Sequence, residues 1–241
     1  MSDGNAVIFG ARNLGRAIID DLVAAGWAVT GAARSDDTLH GLADAGALAL
    51  RADVTDPQSV ADVLARAADH HGRPVTLAVN AASAYGGTRS GPFGGGPIAQ
   101  AGAGAFDDWA AAPARAAFTF LSAAGRAVLQ AGGPATLVQV TGGSARRAMP
   151  GRGLWAAGAF GVRAITQACA AELRPEGIHV ALLIVDAGIE PLRGGGRPGT
   201  DPAALADPRE IAAAVRFLAE QGARAATHEL QVTPLAETWV P

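Results

Sequence analysis

The sequence predicts one α/β domain, a doubly wound parallel sheet of about seven strands with helices on both faces. Short apolar runs alternate with alanine- and leucine-rich stretches of helical spacing along the whole chain. This alternation requires right-handed crossovers between parallel strands. The predicted strands are nearly continuous apolar runs, as burial on both faces of a sheet requires. The 241 residues suffice for one sizeable core, so we expect a single domain over residues 1–241.

The elements of the first half follow in order. "NAVIFG" predicts a strand, "LGRAIIDDLVAAG" a helix that ends at Gly26, "WAVTGAA" a second strand and "RADVTD" the end of a third. The stretch "DPQSVADVLARAADHHG" predicts a helix, because Asp56 is a suitable cap and Pro57 suits the first turn. "VTLAVNAA" then predicts the fourth strand.

The second half continues the alternation. "FDDWAAAPARAAFTFLSAAGRAVLQAG" predicts a long helix interrupted by a proline, and "ATLVQVTGG" predicts a strand. "LWAAGAFGVRAITQACAAELR" predicts a helix, "IHVALLIVD" a strand, "DPREIAAAVRFLAEQ" a helix and "THELQVTP" the last strand. Two glycine-rich loops, residues 86–105 and 193–201, follow the carboxyl ends of strands, where doubly wound sheets bind ligands. These loops are either lids that border a ligand-binding cleft at the strand ends or unconstrained linkers on the surface.

Composition excludes several classes of function. The net charge is −3 and no basic patch stands out, so we expect neither nucleic acid nor an anionic membrane as a partner. No apolar run reaches the about 18 residues of a membrane span, and "MSDGNAVIFG" has no signal-peptide pattern, which favours the cytoplasm. Cys169, the only cysteine, cannot form an internal disulfide, and no metal-ligand cluster surrounds it, so we expect a buried core residue and no metal.

The first strand, turn and helix predict a dinucleotide site. In "VIFGARNLGRAII" the helix would direct its amino-terminal N–H groups at a pyrophosphate. The turn keeps Gly10 and Gly15, while Asn13 tolerates left-handed backbone better than most residues. The turn is completed by Arg12 and Leu14.

An arginine favours NADP(H) over NAD(H). Arg34 lies just past the second strand, and Ala33 supplies no carboxylate for a ribose 2′-hydroxyl. An arginine without an acid there favours a 2′-phosphate, which Arg12 could also reach. The alternative for both arginines is a solvated loop charge.

With these motifs the chain resembles the short-chain dehydrogenase/reductase family over nearly its whole length. The family motif T-G-x-x-x-G-x-G falls on residues 8–15, where only Gly15 is in register. "RADVTD" matches the segment whose aspartate, here Asp53 followed by Val54, holds the adenine amino group. "GIHVALLIVDAGIEP" resembles the segment that borders the nicotinamide. "VNAAS" matches the N-N-A-G motif and adds Asn80, Ala81 and Ala82 to the cofactor site that the resemblance implies.

The resemblance also implies a catalytic serine thirteen residues before a tyrosine, and a lysine four after it. Because the following helix ends in "AAEL" as in family members, these positions fall on Gly142, Trp155 and Ala159. The family's helical asparagine has no counterpart either, since the asparagines are at positions 5, 13 and 80. The chain is therefore most similar to atypical members that lack the catalytic Asn-Ser-Tyr-Lys residues.

This loss bears on the chemistry. The Trp155 indole donates a hydrogen bond but does not release its proton at ordinary pH. General acid catalysis is typically worth about 10²–10⁴-fold, so we expect slow or absent alcohol/ketone chemistry unless another group acts. Replacement acids are Tyr85, Thr141 and Ser144; Arg146 and Arg147 could bind an anionic substrate, and Asp186 is near the nicotinamide end. Trp155 either stacks on the nicotinamide or an aromatic ligand, or fills the volume left by tyrosine and lysine.

Three functions stay open. We expect an NADP(H)-binding oxidoreductase with a non-standard active site and a small-molecule ligand in the cleft at the strand carboxyl ends. The alternatives are a non-catalytic NADP- or ligand-binding protein, a sensor or partner, and a non-redox enzyme, which Phe9 and Asn13 at motif glycine positions favour. The family commonly pairs through two long helices, here about 106–131 and 154–173, whose small residues permit close approach, so the resemblance implies a homodimer or homotetramer.

Overall fold

Seven parallel strands form the main sheet. The structure is a computed structural model that describes residues 4–83, 91–192 and 201–237. The sheet strands are β1 Asn5–Phe9, β2 Ala28–Ala33, β3 Leu48–Arg51, β4 Leu77–Asn80, β5 Ala135–Gly142, β6 Ile178–Val185 and β9 Glu229–Val232. They lie in the order β3-β2-β1-β4-β5-β6-β9. A separate short pair is formed by β7 Gly188–Ile189 and β8 Leu205–Ala206. The helices are α1 Leu14–Ala24, α2 Asp36–Ala43, α3 Pro57–His71, α4 Ala103–Phe106, α5 Ala112–Ala131, α6 Gly153–Leu173 and α7 Pro208–Ala219.

The predicted doubly wound architecture is confirmed. Alternate residues of β1 enter opposite layers, since Val7 and Phe9 pack in the core beneath α3 and α5 while Ile8 packs beneath α1 and α7. Helices therefore cover both faces of the sheet, which explains the apolar strands. The strand order reverses between β1 and β4, where Phe9 and Asn80 are register partners. The carboxyl ends of these two strands form the switch point at which such sheets bind ligands.

Most element boundaries agree with the sequence pattern. Asp56 caps α3, because its side chain accepts a hydrogen bond from the Gln58 backbone N–H at 3.0 Å. The sequence predicts a long helix interrupted near a proline. The structure has a π-helical turn there, Asp107–Ala111, which joins α4 to α5 just before Pro113. The sequence pattern did not predict α2, whose short polar stretch buries only Leu42.

The first glycine-rich loop is partly described. From residue 91 onward it forms two 3₁₀ turns, Phe93–Gly95 and Ile98–Gln100, and its last residues begin α4. Residues 86–90, and residues 193–200 of the second loop, lie outside the described residues. Within the described part of the chain, no helix is long and apolar enough to cross a membrane.

Candidate active site

The two glycines of the β1–α1 turn lie where no side chain fits. Gly10 has φ +86°, and a Cβ atom there would lie 2.5 Å from the Ala82 backbone nitrogen. A Cβ atom on Gly15 would lie 2.4 Å from the Gly10 carbonyl oxygen. The turn thus packs tightly on the residues that follow β4, and Leu14 is buried beneath it at the start of α1.

Phe9 does not fill the turn. Its ring is buried on the opposite side of the strand and contacts Phe120 of α5 edge to face, with 5.7 Å between ring centroids. The sequence interpretation counted Phe9 against a dinucleotide site because it replaces a motif glycine. In the structure the bulk of this side chain belongs to the core, so it occupies no space at the helix amino terminus.

Asn13 joins the turn to the segment after β6. Its Nδ2 donates to the Glu190 carbonyl at 3.0 Å, and its Oδ1 accepts from the Leu192 N–H at 2.8 Å. Asn13 is the N-cap residue of α1, but its side chain makes no capping hydrogen bond. The first N–H groups of α1 are therefore not satisfied by Asn13, and the neighbouring Arg12 is exposed.

Arg34 and Asp53 flank the next strand ends. The Arg34 side chain is 75% exposed, and its Nη1 lies 3.9 Å from Asp53 Oδ2. Asp53 Oδ1 accepts hydrogen bonds from the Thr55 N–H at 2.9 Å and the Thr55 hydroxyl at 2.7 Å. Burial tends to raise the pKa of Asp53, but the two Thr55 hydrogen bonds and the Arg34 charge together hold that pKa below its usual value. Val54 beside it is buried.

Asn80 is a buried residue that stabilises the end of β4. Its Nδ2 donates to Gln139 Oε1 of β5 at 3.0 Å, and its Oδ1 accepts from the Ala82 N–H at 3.2 Å. The Ala81 N–H donates to the Phe9 carbonyl at 2.9 Å. These bonds hold the segment 80–82 against the β1–α1 turn, at the switch point.

The positions assigned to the family's serine, tyrosine and lysine lie close together. Gly142 ends β5, and a Cβ atom built on it would lie 3.6 Å from Cζ2 of Trp155 in the first turn of α6. Ala159 is buried one turn further along α6. Of the replacement acids, Thr141 is half-buried in β5 and Ser144 is buried in the 3₁₀ turn after it. Tyr85 lies outside the described residues.

An aromatic cluster lies beside the Trp155 position. The Phe93 ring contacts Trp155 with 4.7 Å between centroids and Trp109 with 5.1 Å, both nearly edge to face. Trp109 is buried, Trp155 is half-buried and Phe93 is largely exposed. The sequence interpretation missed Phe93, although an aromatic residue set between glycines and prolines in "GPFGGGP" was a usable signal.

Arg146 is engaged in an internal ion-pair network centred on Glu229 of β9. Arg163 donates to Glu229 through Nε at 2.7 Å and Nη2 at 2.8 Å, Gln167 donates at 2.7 Å, and Arg146 Nη1 donates at 3.3 Å. Burial raises the pKa of Glu229, but these donors and the two arginine charges outweigh it and hold the pKa below the usual value. The expectation that Arg146 binds an anionic substrate is not supported, because its charge already has a partner.

Arg147 is likewise paired, with Asp186 at the end of β6. Its Nη2 donates to Asp186 Oδ1 at 3.3 Å, and Gln231 Nε2 donates to Oδ2 at 3.5 Å. A Cβ atom on Gly143 would lie 1.7 Å from Asp186 Oδ1, so the carboxylate occupies the space of a side chain at that position. Burial raises the pKa of Asp186; Arg147 opposes this effect and Glu237 adds to it, and the pKa stays above the usual value.

Cys169 is not part of the site. It is half-buried on α6 and packs against the core beneath α3 and α5, less deeply than the sequence predicts. Burial and the charge of Glu172 raise the pKa of its thiol to about 11, so the thiolate is scarce near neutral pH. Among the described residues, no group of three or more His, Cys, Asp or Glu side chains could hold a metal ion.

Two cavities lie away from the aromatic cluster. One of about 300 Å³ lies between α1 and α7 and is lined by Arg16, Asp20 and Arg209 among others. The second, of about 440 Å³, lies between α3 and α5 and is lined mainly by alanine and valine. Neither cavity is lined by Gly142 or Trp155.

Comparison with solved structures agrees with this architecture. An alcohol dehydrogenase from the archaeon Thermococcus sibiricus, complexed with 5-hydroxy-NADP, has a TM-score of 0.77 and 22% identity, with 100% of both chains covered. A metagenomic short-chain oxidoreductase in complex with NADP has a TM-score of 0.73 and 22% identity, covering 98% of this chain and 99% of that one. A short chain oxidoreductase from Pseudomonas aeruginosa PAO1, described as containing an atypical catalytic center, has a TM-score of 0.79 and 20% identity, covering 99% of this chain and 100% of that one.

Family membership is shown by the sequence match. No curated protein matches the chain. Residues 5–187, three quarters of the chain, match the family described as short chain dehydrogenase. This range includes the β1–α1 turn, the end of β4, Trp155 and the end of β6. The chain belongs to the short-chain dehydrogenase family.

Proposed function

We propose that this protein is an NADP(H)-binding oxidoreductase whose active site lacks the usual Asn-Ser-Tyr-Lys residues. One observation carries the cofactor assignment: Arg34 presents a side chain that is 75% exposed at the carboxyl edge of β2. Its contact with Asp53 is long, at 3.9 Å, so its donors are free for a phosphate. The similar solved structures complexed with NADP or with 5-hydroxy-NADP support the same cofactor.

The residues present fit such a cofactor. The N–H groups at the start of α1 are not capped by Asn13 and would bind the pyrophosphate. Asp53 would accept a hydrogen bond from the adenine amino group. The cofactor site would also be lined by Val54, Asn80, Ala81 and Ala82. The nicotinamide supplies hydride transfer when it is bound. The contribution of this chain is to bind and orient the cofactor and to shield its reactive end from water.

The composition supports a non-standard site. The chain contains no lysine at any position, and Tyr85 is its only tyrosine. A tyrosine–lysine pair therefore cannot have moved elsewhere in this sequence. The positions that face each other hold Gly142, Trp155 and Ala159, which have no ionisable side chain. Reduction of quinones, imines and activated double bonds depends less than ketone reduction on an acid placed beside a carbonyl oxygen, so we propose acceptors of these kinds.

Two other functions have a supporting observation. A non-catalytic NADP-binding or ligand-binding protein, a sensor or partner, is favoured by the same absence of ionisable groups. A non-redox enzyme is favoured by Asn13, which stands at a motif glycine position and whose side chain bonds to Glu190 and Leu192. The placement of Phe9 in the core removes the second argument that the sequence offered for that function.

Calorimetric titration tests the cofactor assignment. The purified protein is titrated with NADPH and with NADH, and the Arg34→Gln variant is compared with Arg66→Gln, which removes an exposed arginine of α3. We expect NADPH to bind more tightly than NADH, and Arg34→Gln to weaken NADPH binding by about 10-fold or more. Arg66→Gln should change nothing. Failure to bind either dinucleotide would contradict the assignment and favour the non-redox enzyme.

Absorbance at 340 nm tests turnover. NADPH oxidation is followed with menadione and with cyclohexanone, and we expect oxidation with the quinone only. Tyr85→Phe and Ser144→Ala then test the replacement acids; an unchanged rate would remove both. Tight NADPH binding without oxidation by any acceptor would favour the non-catalytic function.

We also propose a homodimer or homotetramer formed through α5 and α6. Each helix exposes a phenylalanine, Phe118 and Phe160, and alanines surround the latter. The ligand would lie at the strand carboxyl ends, away from this face. Location in the cytoplasm stays a prediction from the sequence.

A further inference from the structure

Arg51 links the ends of two neighbouring strands at the carboxyl edge of the sheet. It is the last residue of β3 and the register partner of Ala33, the last residue of β2. Its Nη1 donates to the Arg34 carbonyl oxygen at 2.6 Å, and its Nη2 donates to Asp36 Oδ1. Because one guanidinium contacts both the Arg34 backbone and the Asp36 side chain, the Asp36 carboxylate lies beside Arg34.

The start of α2 explains why an acidic residue stands at position 36. Asp36 is the first residue of this helix, and Ser35 before it is the N-cap residue. The Ser35 hydroxyl makes no capping hydrogen bond and instead bonds to the Thr38 hydroxyl, with 2.8 Å between the two oxygens. A carboxylate in the first turn stabilises a helix, because the positive end of the helix dipole lies there. The same carboxylate would repel a phosphate bound at Arg34.

Arg51 balances this negative charge. The side chains of Arg51 and Asp36 are 61% and 65% exposed, and an exposed ion pair contributes little to stability. Its effect on the local charge is larger, because Arg34 already has the Asp53 carboxylate at 3.9 Å. Without Arg51, the single positive charge of Arg34 would be opposed by both of these carboxylates.

We infer that Arg51 determines the preference for NADPH, as a positioning residue that neutralises Asp36 beside the 2′-phosphate. The inference rests on the proposed function and deepens it, because it names a residue that controls which nicotinamide cofactor the same site selects. Arg51 acts through Asp36, and no contact between Arg51 and the cofactor is required. NADH carries no phosphate at the ribose 2′-position, so the charge of Asp36 affects its binding little.

Calorimetry on three variants tests the inference. Arg51→Gln removes the neutralising charge, Asp36→Asn removes the carboxylate, and the double variant removes both. Arg66→Gln is the control for the first, because Arg66 is an exposed arginine of α3. Asp44→Asn is the control for the second, because Asp44 is exposed at the other end of α2, about 12 Å away along the helix axis. Every protein is titrated with NADPH and with NADH, and thermal melting confirms that each variant folds.

We expect Arg51→Gln to weaken NADPH binding about 3- to 10-fold and to leave NADH binding unchanged, because the uncompensated Asp36 carboxylate repels the phosphate. The double variant should recover most of the lost affinity, and Asp36→Asn alone should bind NADPH at least as tightly as the native protein. The effect of Arg51→Gln should decrease in about 0.5 M NaCl, since salt screens exposed charges. The two control variants should bind both cofactors as the native protein does.

Three outcomes would overturn the inference. The first is an Arg51→Gln variant that binds NADPH as the native protein does. The second is an equal loss of affinity for NADPH and NADH, or a loss that does not change with salt, because either result would mean that Arg51 only maintains the structure. The third is a double variant that binds NADPH no better than Arg51→Gln, because Asp36 would then not cause the loss.

Two nucleotide fragments separate this inference from the proposed function. Adenosine 2′,5′-bisphosphate carries the 2′-phosphate, adenosine 5′-monophosphate lacks it, and neither contains nicotinamide. Tighter binding of the bisphosphate with the expected variant effects, but no binding of either dinucleotide, would keep the inference and reject the oxidoreductase. A native protein and an Arg51→Gln variant with the same preference for NADPH would keep the cofactor assignment and reject the inference. A native protein that prefers neither NADPH nor the bisphosphate would reject both.

Discussion

At the scale of single residues, the more buried charged side chains near the site have ion-pair partners, and two of the more exposed ones do not have close partners. The Glu229 side chain is 21% exposed and receives hydrogen bonds from two arginines and a glutamine. Arg152, by contrast, is exposed and has no carboxylate partner among the described residues, and the exposed Arg34 has only a long contact with Asp53, at 3.9 Å. Because an unpaired buried charge is costly and an exposed one is not, the exposed arginines are the ones available to a ligand.

Glu229→Gln should destabilise the protein in a pH-dependent way. The folded pKa of Glu229 lies below its unfolded value, so the stabilisation is fully present above the unfolded pKa and is lost as pH falls through the folded pKa. At pH 7 we expect the free energy of unfolding to fall by about 1.5–3 kcal/mol, the range for hydrogen bonds to charged groups. Urea denaturation at pH 7 and near pH 3 measures both values.

The control is Glu176→Gln, which changes an exposed carboxylate in the turn after α6. It should leave the free energy of unfolding nearly unchanged at both pH values. A Glu229→Gln variant that loses the same free energy at pH 3 as at pH 7 would mean that the ion pairs do not cause the effect.

At the scale of elements, small residues of α6 allow neighbouring segments to pack closely against this helix. A Cβ atom on Gly158 would lie 2.5 Å from the Trp109 carbonyl oxygen and 2.7 Å from Pro113 Cγ. Gly158 thereby allows the π-helical turn Asp107–Ala111 to approach α6, and this turn contains Trp109, one wall of the aromatic cluster. The geometry of that cluster thus depends on Gly158 as well as on its aromatic members.

Gly158→Ala should destabilise the protein although alanine favours helix. Overpacking a tight contact costs about 1–3 kcal/mol, more than the about 1 kcal/mol that alanine gains over glycine within a helix. Gly104→Ala in α4 is the matched control, since a Cβ atom there meets nothing within 4 Å. Thermal melting should show a lower midpoint for Gly158→Ala and an equal or higher one for Gly104→Ala. Equal midpoints for the two variants would contradict the close approach.

At the scale of the whole molecule, α5 and α6 present an exposed face with apolar side chains. Phe118 is 58% exposed on α5 and Phe160 is 43% exposed on α6. Exposed apolar surface on neighbouring helices is typical of an interface between subunits. A second copy of the chain that covers this face would give the closed symmetric pair common among soluble oligomers.

Phe118→Glu should therefore reduce the assembly to a smaller species. Light scattering after gel filtration should give the mass of two or four chains for the native protein and a lower mass for the variant, because a charge in an apolar interface is unpaired. Phe217→Glu is the control, since Phe217 is 53% exposed on α7. A native protein with the mass of one chain would contradict the proposed assembly.

The sequence alone determined the order of strands and helices along the chain, because hydrophobic periodicity and the positions of glycine and proline are local properties. It predicted the β1–α1 turn around Gly10 and Gly15 and placed Gly142 and Trp155 in one motif. It did not predict α2, whose short polar stretch carries little periodic signal. Phe9 at a motif glycine position suggested a weakened turn, because the sequence does not show which face of the sheet a strand residue occupies.

Only the tertiary structure decided which charged and aromatic side chains meet. Arg146 and Arg163 share Glu229 although 66 residues separate Arg163 from that carboxylate. Phe93 meets Trp155 because glycines on one segment allow close approach to another. These contacts arise from packing between distant segments and from the cost of burying an unpaired charge, and a local sequence pattern predicts neither. The fold is therefore evident in the sequence, while the chemistry of the site depends on side chains that folding brings together.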